Sequence, residues 1–437
     1  MEWLVLGLFC GGLLLCLLLD WSILYALLAG LLLFLLYGRR KGFGWKALLG
    51  MALAGVKAVK NILITFLLIG VLTALWRAAG TIPVIVSYAA RLIRPGVFLL
   101  MAFLLNAGVS VLTGTSFGTA ATMGVICATM GDVFGVPVVL TGGAVLAGAF
   151  FGDRCSPVST SALLVSELTK TSVFDNIQRM VKTALIPFLA SCAVYALLGL
   201  LTAHGAGAMD LSALFSREFT LSLWAVIPAA VILALSLLRV NVKLAMAASI
   251  LSAVPLCLWL QGHAPLSLLR TALVGFAAAD PQVAAMLDGG GIASMLRVGA
   301  IVCISSSYSV LFQKTGLLDR VKGAIGRLSR RTGPFCATLV TSALAGMVAC
   351  NQSLTILLAH QLCRELRSDP SDTALDLEDT AVVVAPLIPW SIAGAVPLGA
   401  VGAPGVSVLL ACYLYLLPLW RLITSKRDGR TRPLPRR

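Results

Sequence analysis

The chain has 437 residues; 59% are hydrophobic and 12% charged, against roughly 45–50% and about 25% in soluble domains. That balance excludes an ordinary soluble enzyme, a coiled coil and a disordered chain. The net charge of +15 is concentrated at Arg39–Lys46, Lys314–Arg331 and Lys426–Arg437, so it reads as an orientation signal beside apolar spans, not as a nucleic-acid surface.

In chain order, Trp3–Leu19 and Trp21–Tyr37 read as two spans turning at Asp20. Trp45–Lys60 sets Lys46, Lys57 and Lys60 against Leu48, Leu49, Leu53 and Val56, the pattern of a helix lying at the interface. Asn61–Trp76 is a third span, and Gly80–Arg94 a further amphipathic segment. Pro95–Gly131 then runs 37 residues without a charge, where one span needs about 20. Glycines and hydroxyls at Thr113–Thr119 break its middle, which predicts a re-entrant hairpin over 97–131. Such backbone is tolerated at membrane depth only where it is buried in protein or lines a cavity. The next span, 136–166, is interrupted at Phe151–Val158, and Thr183–Thr202 completes the half.

The second half repeats this order of irregularities at an offset of about 236 residues. Gly55 meets Gly291, Gly80 meets Gly316, Thr115-Ser116 meets Asn351-Gln352, and Asp153 falls against Pro389. The expected architecture is all-α and polytopic, with two inverted-topology repeats at 1–203 and 221–424. An external linker occupies 204–220, a second hairpin 335–367, a second broken helix 380–401, and a basic tail 425–437. Gly80–Arg94 carries two basic residues and Gly316–Arg331 five, so the second lies in the cytoplasm and the first outside. About ten spans plus two hairpins then satisfy every charge cluster, with both termini cytoplasmic in a cell (inner) membrane. The lipid bilayer is the expected partner, and a homodimer is compatible with the sequence. Inverted repeats with discontinuous helices characterise secondary transporters, with their sites near the midplane.

Of 18 acidic residues, Asp153 alone lies deep in an apolar context at a predicted break. A carboxylate there needs a cation, a proton or a partner; Arg154 beside it is a substrate or charge partner. Thr113, Thr115, Ser116, Thr119, Ser156 and Ser159 supply oxygens suited to a hard cation such as Na+, as do Asn351, Gln352 and Ser353 at the second hairpin. Hydroxyls of this kind also serve simply as packing groups between membrane helices. Asp153, Ser116 and Asn351 form the smallest Na+ set. Pro386 and Pro389 break the second crossover helix, with Trp390 as packing or gate. Glu378 and Asp379 are expected just before this helix, as coupling groups or as acids at its positive N-terminus. Eleven cysteines without a CxxC pair and three distant histidines suggest no metal cluster. No cofactor is expected beyond transported Na+ and H+, and no enzyme motif is visible.

Thr113–Gly124, Gly143–Ser166 with Gly-Asp-Arg-Cys-Ser-Pro-Val-Ser at its centre, and Leu377–Gly394 with Pro-Leu-Ile-Pro-Trp resemble the NhaC-type Na+/H+ antiporter family, from about Trp45 to Ile423. The resemblance implies a fold of the ion transporter superfamily, with paired hairpins meeting broken helices. Relatives in that family include malate–lactate exchangers and amino-acid carriers. One departure stands out: where the family pattern continues Ser-Pro-x-Ser with an aspartate, this chain has Thr160, and Arg154 replaces a residue often neutral or histidine. The expected function is Na+/H+ exchange by alternating access, with Asp153 holding H+ or Na+ in turn. The alternative is a Na+- or H+-coupled carrier of a small organic acid or amino acid, with Arg154 facing its carboxylate.

Overall fold

The computed structural model describes residues 2–19, 21–157, 159–202, 211–238, 240–315 and 328–425. Most of Gly316–Arg331, most of the 204–220 linker's first half and the tail beyond Ser425 lie outside them. Among the described residues the chain is helical, with a single isolated bridge between Phe276 and Gly289.

The first half runs α1 Glu2–Leu18, α2 Ile23–Arg40, α3 Trp45–Ala58, α4 Lys60–Ala78, α5 Thr81–Leu92, α6 Phe98–Thr113 and α7 Ser116–Thr119. A wide turn at Ala120–Gly124 leads to α8 Val125–Val133, then α9 Val138–Cys155, α10 Thr160–Thr169 and α11 Val173–Thr202. The second half holds α12 Leu211–Phe215, α13 Ile227–Leu237, α14 Val242–Pro255, α15 Pro265–Val274, α16 Pro281–Leu287 and α17 Gly291–Thr315. It closes with α18 Pro334–Ala349, α19 Gln352–Cys363, α20 Pro370–Glu378, α21 Ala381–Val384, α22 Ile392–Ala400 and α23 Cys412–Ser425.

Among the described residues, five helices are long and apolar enough to cross a membrane, or up to seven if two bent pairs each count as one span. Those pairs bend by 69° between α4 and α5 and by 56° between the α20–α21 stretch and α22. Leu185, Leu189, Leu197 and Leu200 of α11 and Leu244 and Leu251 of α14 are exposed large apolar side chains, the stripe a lipid-facing helix presents. The chain is a polytopic α-helical membrane protein.

Both predicted hairpins turn in the same way. Gly114 adopts φ 66°, and Thr115 then caps α7 by accepting from the Gly118 amide. Cys350 adopts φ 54°, and Asn351 caps α19 by accepting from the Ser353 and Leu354 amides. The left-handed position suits glycine at Gly114; at Cys350 a side chain tolerates it.

The breaks in the two crossover helices also share a cause. A proline forces the preceding residue toward extended backbone: Ser156 before Pro157 has ψ 132° and Ile388 before Pro389 has ψ 115°. Two residues after each proline a serine caps the resumed helix, Ser159 accepting from the Ser161 amide and Ser391 from the Ala393 amide. This pairs Pro157 with Pro389, one helical turn away from the register that set Asp153 against Pro389.

Three sequence boundaries are corrected. The first crossover helix stays intact through Cys155, so Asp153 and Arg154 are helical rather than unwound. The final helix of the first half starts at Val173 rather than Thr183. The second crossover helix starts at Pro370 rather than Thr380, capped by Asp369. Glu378 and Asp379 therefore lie at the end of its first segment, not ahead of it.

What holds the end of α9 in place is a close crossing with α6. A Cβ on Gly148 would lie 2.5 Å from the Phe103 carbonyl, and one on Gly152 would lie 2.3 Å from Ser110 Cβ and 2.4 Å from the Val111 amide nitrogen. Backbone cannot yield as a flexible side chain would. Gly152→Ala is expected to destabilise the protein by about 1–3 kcal/mol, read as a lowered unfolding temperature in detergent. Gly108→Ala, where a Cβ meets nothing within 4 Å, should match or exceed wild type.

Candidate functional site

Asp153 sits on the last turn of α9, 3% exposed. Ser159 Oγ donates to its Oδ1 at 3.0 Å, and Ser161 Oγ donates to Oδ2 at 3.2 Å. Both hydroxyls come from the chain just past the Ser156–Pro157 break, which folds back under the carboxylate. Gln352 Nε2, at the tip between α18 and α19, donates to Oδ2 at 3.3 Å and to the Val382 carbonyl of α21 at 3.2 Å. One amide thus ties the carboxylate of the first broken helix to the second hairpin and to the second broken helix. Among the described residues no basic side chain pairs with Asp153.

Arg154, 100° further round the helix, turns the other way. Its side chain is fully buried and ion-paired with Asp379. It donates to the Glu378 carbonyl at 3.3 Å, the Met180 carbonyl at 3.2 Å, Tyr413 Oη at 3.2 Å and Thr183 Oγ1 at 3.0 Å. The pair continues outward: Arg421 Nε lies 2.8 Å from Asp379 Oδ2 and its Nη2 3.5 Å from Asp376 Oδ1. Arg367 closes the chain at 2.8 Å from Asp376 Oδ2. Arg154 is therefore a structural anchor joining α9 to α11, α20 and α23, with its donors engaged away from Asp153.

Glu378 is 0% exposed, and neither of its carboxylate oxygens has a hydrogen-bond partner. A buried acid of this kind is exceptional, since buried polar groups are nearly always paired. Arg154, Asp379 and Asp153 are all within its electrostatic reach.

The other predicted residues divide. Asn351 stands beside Gln352 as a backbone cap, and Ser353 is exposed. At the first tip, Thr119 Oγ1 donates to the Thr115 carbonyl at 2.8 Å and lies 3.3 Å from Thr113 Oγ1. Ser116 is buried there. This tip packs against α9 and α22, and among the described residues no hydrogen bond links it to Asp153. Ser156, at the break, is buried. Trp390 is packed, donating to the Met347 carbonyl at 3.0 Å. Pro389 lines a cavity of about 640 Å³ with Trp21, Ser294 and Arg297. Thr160 is exposed, so the position of the missing family aspartate lies outside the hydroxyl shell of Asp153. Sequence reasoning missed Ser161 and the Asp376–Arg421–Arg367 chain. Ser161 lies two residues past a named serine and was within reach of a capping argument; the ion chain joins distant segments and had no local signal.

A family profile described as the Na+/H+ antiporter family matches residues 4–167 and 148–423. The chain belongs to the Na+/H+ antiporter family. It is 26% identical to the malate-2H+/Na+-lactate antiporter of Bacillus subtilis, over 94% of this chain and 90% of that protein. It is 26% identical to the Na+/H+ antiporter NhaC of Alkalihalophilus pseudofirmus, over 90% and 87%. It is 27% identical to the arginine/ornithine antiporter ArcD of Halobacterium salinarum, over 84% and 79%. Family members are thus transporters, and those named carry different solutes.

Proposed function

We propose that the protein is a secondary Na+/H+ antiporter that works by alternating access, with Asp153 as the seat of Na+. The observation that carries this reading is a buried carboxylate held by two hydroxyls and an amide, with no basic partner among the described residues. An ionised carboxylate away from water costs several kcal/mol unless a cation or proton compensates it. The hydroxyl oxygens of Ser159 and Ser161 and the carboxylate are hard donors of the type Na+ accepts. Each hydroxyl can rotate its proton away when a cation arrives.

The two halves, 1–203 and 221–424, act as inverted repeats of ten spans and two hairpins in the cell membrane, with both termini cytoplasmic. Support comes from α6 and α18, which are both 16 residues long and start 236 positions apart, from the matching turns at Gly114 and Cys350, and from the matching Pro-x-Ser breaks. Each tip also packs against the broken helix of the other half, the first against α22 and the second against α10.

A second reading, coupled transport of a small organic anion, is favoured by the cavity beside Pro389, which is far larger than Na+ and carries Arg297. Arg154 is engaged elsewhere, so Arg297 takes the part of substrate cation in that reading. Reconstitution in liposomes with an internal pH dye separates the two. Under the first reading Na+ alone drives a pH change. A response only to malate, lactate or an amino acid selects the second.

A further inference from the structure

Asp153 and Glu378 are buried acids near this site whose carboxylates form no salt bridge among the described residues, with Arg154 within electrostatic reach of Glu378. Beside them starts the ion chain that runs from Arg154 through Asp379, Arg421 and Asp376 to Arg367. That chain has three guanidinium groups and two carboxylates, leaving one surplus positive charge. An ionised Asp153 cancels the surplus if Glu378 is protonated. When Na+ enters beside Asp153 the surplus returns, and ionisation of Glu378 cancels it again. A buried group tolerates net charge poorly, so the two states that stay neutral differ by one Na+ in and one H+ out.

We propose that Glu378 holds the exchanged proton, at a seat separate from the Na+ seat, and that one H+ leaves for each Na+ bound. This rests on the reading of Asp153 as that Na+ seat. In the step, the Glu378 O–H bond breaks and its proton passes to water on the side to which the pocket is open. Na+ meanwhile exchanges water ligands for oxygens at Asp153. A protonated Glu378 also suits its setting, because a carboxyl group without donors around it is better accommodated neutral than charged.

The groups around Glu378 allow this assignment. From α9 come Asp153, Arg154 and Cys155, and from α23 come Tyr413 and Arg421. Its own helix adds Asp376 and Asp379. Arg179 of α11 pairs with Asp372, while Lys182 of α11 and Glu167 of α10 are exposed. His360 and Cys363 stand on α19, Cys336 on α18, and α21 carries no titratable side chain. None of these groups hydrogen-bonds the Glu378 carboxylate oxygens; Arg154, its donors engaged elsewhere, acts on them only through space.

The test compares proton-coupled and proton-independent transport in proteoliposomes. Glu378→Gln, neutral at every pH, leaves the surplus charge uncancelled when Na+ binds, so it is expected to exchange radioactive Na+ for Na+ only at Na+ concentrations raised at least tenfold, and to lose Na+-driven acid movement by at least tenfold. Its Na+ exchange should also lose the pH dependence of wild type. Na+-driven H+ movement at wild-type rate and pH profile in Glu378→Gln overturns the proposal, and so does Na+/Na+ exchange in Glu378→Gln with wild-type Na+ affinity and pH dependence. If Glu378→Gln fails to fold, Glu378→Asp decides: a displaced pH profile of exchange is expected, and an unchanged one overturns the assignment. Asp153→Asn in the same vesicles tests the underlying reading separately, because Na+/Na+ exchange surviving there removes the Na+ seat whatever Glu378 does.

Discussion

Asp153→Asn is expected to abolish Na+-driven proton movement while the protein inserts and unfolds close to the wild-type temperature. Asparagine keeps the size of the side chain and an Oδ1 that accepts from the Ser159 hydroxyl, while its amide nitrogen replaces Oδ2 and can donate to the Ser161 hydroxyl turned to accept, so the fold of the break should survive. The full negative charge disappears. A unit charge pair at about 4 Å is worth about 4 kcal/mol at an effective dielectric of 20, roughly a thousandfold in affinity. Initial rates of Na+-driven pH change across a series of Na+ concentrations measure the loss. Wild-type rates with wild-type pH dependence in this variant would take Asp153 out of the mechanism.

Arg154→Met should have the largest effect on stability. Arginine here is fully buried and engages Asp379, Thr183, Tyr413 and the carbonyls of Met180 and Glu378. Methionine fills much of the volume but leaves Asp379 buried with Arg421 as its remaining cation. Removing one partner of a buried pair typically costs about 3–5 kcal/mol, whereas replacing both with apolar groups is often nearly neutral. The double variant Arg154→Met with Asp379→Leu is therefore expected to recover part of the loss. Thermal unfolding in detergent checks both. If Arg154 instead faced a substrate carboxylate, Arg154→Met would raise the KM for an organic anion and leave the unfolding temperature unchanged.

Much of the frame was legible because the irregularities are local. Gly114-Thr115 and Asn351-Gln352 announced two turns, and Ser156-Pro157 and Ile388-Pro389 announced two breaks through the backbone limits that proline sets. The place of Asp153 followed from its isolation in an apolar run. Its environment did not follow, because Gln352 reaches it across 199 positions of sequence. The start of α20 was misplaced for a specific reason: Asp369-Pro370 is a good helix start, but the charged residues after it looked like a loop outside the membrane. Asp376 and Asp379 are accommodated in a buried helix because Arg154, Arg367 and Arg421 arrive from other elements, which no local pattern announces. The turns at Gly114-Thr115 and Cys350-Asn351 stand 236 positions apart, whereas Pro157 and Pro389 at the breaks stand 232 apart, one helical turn less.

The seat of Na+ is tested most directly by equilibrium binding of radioactive Na+ to purified protein over a range of pH. Wild type should bind saturably, with weaker binding as pH falls and protons compete for the same neutral state. Asp153→Asn should show no saturable binding at any pH while remaining folded. Saturable binding by folded Asp153→Asn with wild-type affinity and pH dependence would contradict the account.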